Sequence, residues 1–164
     1  MNTIPLTRLR DILEYNPESG EFVWRVSLNS RAPVGSIAGT IQPSGYIRIK
    51  INGVRFMAHR LAWLWVNGID PVCEIDHINR VRSDNRLGNL REASGKQNKE
   101  NQSLRVDNTS GHKGVHWDKA REKWMVFVGH HRKFKYLGRY NDLNEAIAVA
   151  DDARRKLFTH HNVI

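Results

Sequence analysis

The sequence predicts an α+β fold in two units. A mixed helix-and-strand unit covers 1–102, and a three-stranded antiparallel sheet with one helix covers 112–164, joined by a polar linker at 103–111. Three observations carry this reading. Apolar residues recur at helical spacing in some segments and alternate with polar ones in others. A polar stretch without periodicity separates two such groups. A length of 164 residues, 40% of them hydrophobic and including five Trp, suffices for two small cores.

Leu6, Leu9, Ile12 and Leu13 share one face of a helix over 5–14. Asn16-Pro17-Glu18-Ser19-Gly20 reads as a turn, and 21–25 as a short strand. Residues 45–51 alternate, with Ile47, Ile49 and Ile51 on one face and Arg48 and Lys50 on the other. Asn52-Gly53 is a strong hairpin signal, so 54–57 returns as the partner strand. A helix over 58–67 ends at Gly68, its Trp63 and Trp65 packing on the core, and Pro71 marks a loop. Ser94-x-x-Gln97 has the pattern of a capping box, opening a helix that carries Asn98. In the second unit, alternation predicts strands over 113–117, 123–128 and 132–139. Asp142 is a good N-cap for a helix over 142–158, whose apolar stripe is Leu143, Ile147, Ala150, Ala153 and Leu157.

The 26 basic residues exceed the 17 acidic ones by nine. The excess is distributed: 15 against 11 over 1–110, and 11 against 6 over 111–164. Such a balance points to a phosphate-bearing partner. The longest apolar run, 61–66, is far too short to span a membrane, and the first ten residues lack the apolar stretch of a secretory leader. A cytoplasmic protein is therefore expected. Cys73 is the single cysteine, so neither an internal disulfide nor structural zinc is expected. The pairs His130-His131 and His160-His161 form no closed ligand set and read as surface residues.

The chemistry is concentrated in about 73–101. Asp76 and His77 are adjacent, amides stand at Asn79, Asn85, Asn89 and Asn98, and Arg80, Arg82, Arg86 and Arg91 run through the same stretch. A carboxylate and an amide oxygen suit a hard cation such as Mg²⁺, which keeps several waters and binds substrate phosphate. Imidazole titrates near neutrality and can act as a base. Neighbours on a strand point to opposite faces, so Asp76 and His77 serve one site only at a strand end or bend.

Ile75-Asp76-His77, Asn85, Asn89-Leu90-Arg91 and Asn98 together resemble the HNH nuclease family, closest to its phage and intron-encoded homing-type members. Ala58-His59-Arg60-Leu61-Ala62-Trp63, the turn around Gly20 and Gly45-Tyr46 extend the resemblance over roughly the first hundred residues. It implies a ββα-metal site: Asp76 a metal ligand, His77 the general base, Asn89 the brace of the loop and Asn98 the second ligand. The metal would be Mg²⁺, with Mn²⁺ as the alternative. Arg80, Arg82, Arg86 and Arg91 would contact DNA. Arg80 and Val81 stand where many relatives carry Gly or Asp, so Arg80 either takes the turn at a steric cost or contacts phosphate. His59 reads as a hydrogen-bonding brace rather than a catalytic group.

Gly114-Val115-His116-Trp117, Lys123-Trp124-Met125-Val126, Tyr136-Leu137-Gly138-Arg139-Tyr140 and Glu145-Ala146-Ile147-Ala148 resemble an AP2 DNA-binding domain. That family lays a three-stranded sheet in the major groove. The resemblance implies DNA contacts from Lys113, His116, Arg121, Lys123, Arg132, Lys133, Lys135, Tyr136 and Arg139. His116 replaces the family's usual first-strand Arg, and Tyr136 its third-strand Trp. The expected activity is metal-dependent endonucleolysis of double-stranded DNA at a preferred site, by a monomer or, for double-strand cutting, a dimer. The alternative is a non-catalytic, sequence-specific DNA-binding regulator.

Overall fold

The structure, a computed structural model, describes residues 3–30, 32–104, 106–130 and 133–159. It divides into two compact units, Met1–Gly95 and Lys96–Ile164. The expected strand position Arg132, together with His131, His160 and His161, lies outside the described residues.

The first unit opens with α1, Leu6–Ile12, then β1, Leu13–Tyr15, paired antiparallel with β2, Phe22–Trp24. The helix is shorter than its apolar stripe suggests. Leu13 pairs with Trp24 and Tyr15 with Phe22, and burial alternates along β1. Strand pairing therefore takes the two residues that a helix would have used to bury Leu13. A second sheet joins β3, Thr40–Ile41, to β4, Ile47–Ile51, and β4 to β5, Val54–Met57. Asn52 and Gly53 both take positive φ, 48° and 85°, as a two-residue hairpin turn requires. Ile49 and Ile51 are buried while Arg48 and Lys50 stay exposed, as the alternation predicts.

Helix α2, Ala58–Asn67, ends at Gly68 with φ 78°, and the Gly68 N–H donates to the Leu64 carbonyl. It buries Leu61, Ala62 and Leu64 in a core with Leu9, Ile12, Leu13, Phe22, Ile49 and Ile75, with Trp63 and Trp65 packed against it. Strand β6, Glu74–His77, pairs antiparallel with β7, Leu90–Ala93, across a loop that ends in a 3₁₀ turn at Leu87–Asn89.

Helix α3, Gly95–Asn101, follows β7 in the chain, so the order strand, loop, strand, helix expected for 73–101 is present. Its residues from Lys96 onward belong to the second unit, where the Thr159 N–H donates to a Glu100 carboxylate oxygen at 3.1 Å. Strands β8, Val115–Asp118, β9, Lys123–His130, and β10, Lys133–Tyr140, form an antiparallel sheet with β9 in the centre. Helix α4, Leu143–Leu157, is N-capped by Asp142, whose side chain accepts the Glu145 N–H at 2.9 Å. It packs on the sheet through Ala146 and Ala150 against Val115 and Val126, with Leu143 and Ile147 beside them. Ala146 falls outside the expected stripe, because small side chains let the helix lie close and take the most buried positions. Within 103–111, Ser110 is buried and its hydroxyl donates to the Val115 carbonyl at 2.7 Å. Among the described residues no helix is long and apolar enough to cross a membrane.

The turn at 16–20 packs on the loop after β6: the Leu87 N–H donates to the Pro17 carbonyl at 3.0 Å. A Cβ on Gly20, φ +77°, would lie 2.4 Å from the Arg86 nitrogen and 2.6 Å from the Asn85 carbonyl carbon. Gly35 has a similar φ, +82°, with open space around it. Gly20→Ala should therefore cost about 1–3 kcal/mol more than Gly35→Ala, which bears backbone strain alone. Urea unfolding of the two variants measures this; equal losses would mean that the Gly20 contact is not tight.

Candidate active site

β6 carries Ile75, Asp76 and His77 in succession, and all three are buried. His77 ends the strand, the condition under which consecutive side chains can serve one site. Directly opposite Asp76 on β7 stands Arg91. Its Nε and Nη2 approach Asp76 Oδ2 at 3.0 and 2.8 Å. The carboxylate is only 5% exposed, and this charge-assisted pairing is what makes its burial tolerable. Arg91, expected to contact DNA, thus has its guanidinium on Asp76.

The His77 imidazole is held by Asn85, with Nε2 3.2 Å from Asn85 Oδ1. The Asn85 amide nitrogen donates to the Ser83 carbonyl, which leaves Oδ1 as the acceptor. The proton therefore sits on Nε2, and Nδ1 carries the ring's lone pair. Asn85 is 1% exposed, and its carbonyl accepts the Tyr15 hydroxyl at 2.7 Å. Burial, with the Asp84 charge nearby, pushes that phenol up to about 12.

The loop between the strands is braced from Asn89. Its Oδ1 accepts the Asn79 N–H at 2.9 Å, and its Nδ2 donates to the Asp84 carbonyl at 2.7 Å. Arg80 takes φ 66°, the strained turn conformation that the sequence allowed for it. Asp84 accepts from Arg86 at 2.6 and 2.8 Å and from Asn79 at 2.6 Å, and those bonds hold its carboxyl down at about 2. Arg82 donates to the Ser44 carbonyl and lies over the Tyr46 ring.

His59 on α2 closes the buried side. Its ring meets His77 edge-on, with centroids 5.2 Å apart, and lies 5.3 Å from Tyr46. The expected hydrogen-bonding brace needs correction: His59 Nδ1 is buried without a hydrogen-bond partner among the described residues, and the observed contact is ring packing. Burial, then the His77 and Arg60 charges, push its pKa down to about 3. Burial likewise lowers His77, against the opposing effects of Asn85, Asp76 and Asp84.

Asp76, His77 and Asn89 are therefore brought together in the first unit, whereas Asn98 lies on α3 among the residues grouped with the second. The donor chemistry of Asp76, a buried hard oxygen in a polar setting, fits a hard divalent cation. In the second unit, His116, Arg121, Lys123, Lys133, Lys135, Tyr136 and Arg139 are exposed, whereas the Lys113 ammonium donates to the Glu100 and Gln102 carbonyls. Arg121 and Arg139 both approach Asp118, at 3.4 and 3.3 Å. The sequence reading left no role for Asn85 and missed the Tyr15 and Gly20 supports. Asn85 stood among the matched positions, but its partner could only be found in three dimensions.

A buried strand that ends in Asp-His, an amide-braced loop, a returning strand and a following helix succeed one another in the chain order of a ββα-type nuclease motif. A family model described as HNH endonuclease matches residues 56–100. Over 100 residues, 60% of this chain and 82% of the relative, the sequence is 38% identical to Protein 3.8 of Escherichia phage T7. The chain belongs to the HNH endonuclease family. It is also similar, at 20% identity and a TM-score of 0.47, to the structure described as DNA binding and cleavage by the HNH homing endonuclease I-HmuI, over 84% of this chain and 78% of that one.

The two lowered histidines set a pH dependence of stability. Below the ordinary histidine pKa of 6.5 the unfolded chain takes up protons that the folded one refuses, so stability should fall as pH drops from 6.5 towards 3. His59→Phe, which keeps a ring but cannot titrate, should flatten part of that slope. Thermal melting of both proteins from pH 7 to pH 4 checks this; parallel curves would mean that His59 titrates normally in the folded state.

Proposed function

We propose that the chain is a metal-dependent endonuclease that hydrolyses phosphodiester bonds in duplex DNA at a preferred site, in the manner of homing-type HNH nucleases. The observation that carries this reading is the buried His77, hydrogen-bonded to Asn85 beside the Arg91-paired carboxylate of Asp76. His77 Nδ1 takes the proton of the attacking water. Burial favours the neutral ring, so the base is available at neutral pH and somewhat below it. Asn89 keeps the loop from collapsing onto the imidazole by holding it at Asn79 and Asp84. Arg80, Arg82 and Arg86 border the same loop and are assigned to the DNA backbone.

Asp76 would hold the divalent cation, Mg²⁺ or Mn²⁺, and the family motif supplies Asn98 as the second ligand. Once bound, such an ion offsets the charge that develops on the phosphate. The C-terminal unit, AP2-like in its motifs and basic in charge, is assigned to DNA anchoring through the exposed Arg121, Lys123, Lys133, Lys135 and Arg139, with the sequence motif adding Lys113, His116, Arg132 and Tyr136. The proposed setting is the cytoplasm of a bacterial or phage-infected cell, consistent with a phage relative.

Nicking of supercoiled plasmid with and without Mg²⁺ tests the proposal. His77→Ala should lose about 10²–10⁴-fold in rate while gel-shift affinity for duplex DNA persists. Asp76→Ala should lose activity together with the response to Mg²⁺. Full activity of His77→Ala, or an unchanged Mg²⁺ titration in Asp76→Ala, would overturn the assignment.

A further inference from the structure

The second unit presents two chemically different sheet faces. Val126 is buried against α4, so the flanking Met125 and Phe127 point the other way. The register puts His116 opposite Met125, Tyr136 opposite Phe127 and Phe134 opposite Gly129 on this outer face. The result is a row of rings. Phe127 lies 5.3 Å from Tyr136 and 6.4 Å from His116, centroid to centroid. Phe134 is 84% exposed, an unusual position for a phenylalanine that no part of the described chain covers. It lies over Gly129, where an added Cβ would come within 3.3 Å of its ring. At this end a cavity of about 420 Å³ opens between Phe127, Phe134, Phe158 and Arg154.

The rings of this face add little to the reading of a duplex groove. Groove reading depends on side chains that present hydrogen-bond forks to base edges. The Arg139 guanidinium on this face is turned onto the Tyr136 ring and Asp118. Exposed rings with cations around them are the chemistry that stacks unpaired bases. The unit's charge selects an anionic polymer: Lys96–Ile164 carries 14 Lys and Arg against 8 Asp and Glu.

We infer that the outer face of the β8–β9–β10 sheet is a stacking platform for unpaired nucleotides, with Phe134 and Phe127 as its principal rings and the cavity beside them roomy enough to admit a base. It rests on DNA as the partner proposed above, and it sets the preferred substrate as DNA containing a single-stranded stretch.

Fluorescence anisotropy of the full chain in EDTA, which prevents cleavage, tests this with three labelled probes of equal length: a single strand, its fully paired duplex, and that duplex with an internal unpaired stretch. The single strand and the interrupted duplex should bind more tightly than the paired one. Phe134→Ala should remove about five- to a hundredfold of that affinity and leave the melting temperature unchanged, because the ring is exposed. Phe127→Ala should weaken single-strand binding in the same way; should that variant fail to fold, Phe134→Ala alone decides. Tightest binding to the paired duplex, or a Phe134→Ala single-strand affinity within twofold of the parent, would overturn the inference. So would a concentration-dependent dimer in sedimentation that Phe134→Ala abolishes, since the face would then be a contact between copies. Intact plasmid nicking with no preference for unpaired DNA would refute this inference alone, and lost nicking with the preference retained would refute only the nuclease reading.

Discussion

Taking a carboxylate and an imidazole out of water on consecutive residues of one strand is the constraint that organises the first unit. An unpaired buried carboxylate would cost several kcal/mol or pick up a proton. Asp76 avoids both because β7 runs antiparallel to β6 and sets Arg91 directly opposite. His77 needs no countercharge if it stays neutral, but it needs an acceptor for its one N–H, and Asn85 supplies it. Removing either partner would leave a buried charge or a buried N–H unsatisfied.

The rest of the unit makes Asn85 a fixed point. Tyr15 binds its carbonyl, the glycine at position 20 lets the 16–20 turn lie against it, and Asn89 holds the loop at Asn79 and Asp84. These supports come from β1, from the turn that follows it and from the loop's far end, so a site of a few residues depends on elements more than sixty positions away in sequence. His59 and Tyr46 add aromatic walls that keep the imidazole out of water. The β6 strand is thus set by the Asp76–Arg91 ion pair together with packing and amide hydrogen bonds.

Much of this was legible in the chain. The β4–β5 hairpin is written in the alternation and in Asn52-Gly53, α2 in its stripe and terminal glycine, and α4 in the Asp142 cap. The site stood out because several separated polar positions match one motif. What could not be read is pairing across space. Arg91 was expected at DNA, and nothing local says that it faces Asp76; only the β6–β7 register does. His59 looked like a hydrogen-bonding brace because polarity was visible and burial was not. The extent of α1 was overestimated because strand pairing of Leu13 with Trp24 competes with its helical periodicity. In the C-terminal sheet, basic residues drew attention from the sequence, whereas the aromatic outer face emerges only once the strands are in register.

The central claim is that burial keeps His77 neutral while Asn85 orients the ring, with its proton on Nε2 and the lone pair on Nδ1. Histidine-selective ¹⁵N NMR followed through a pH titration measures this directly. The account predicts the Nε2–H tautomer for His77 at pH 7 and a midpoint below the ordinary 6.5. An Nδ1–H tautomer, or a midpoint at or above 6.5, would contradict it.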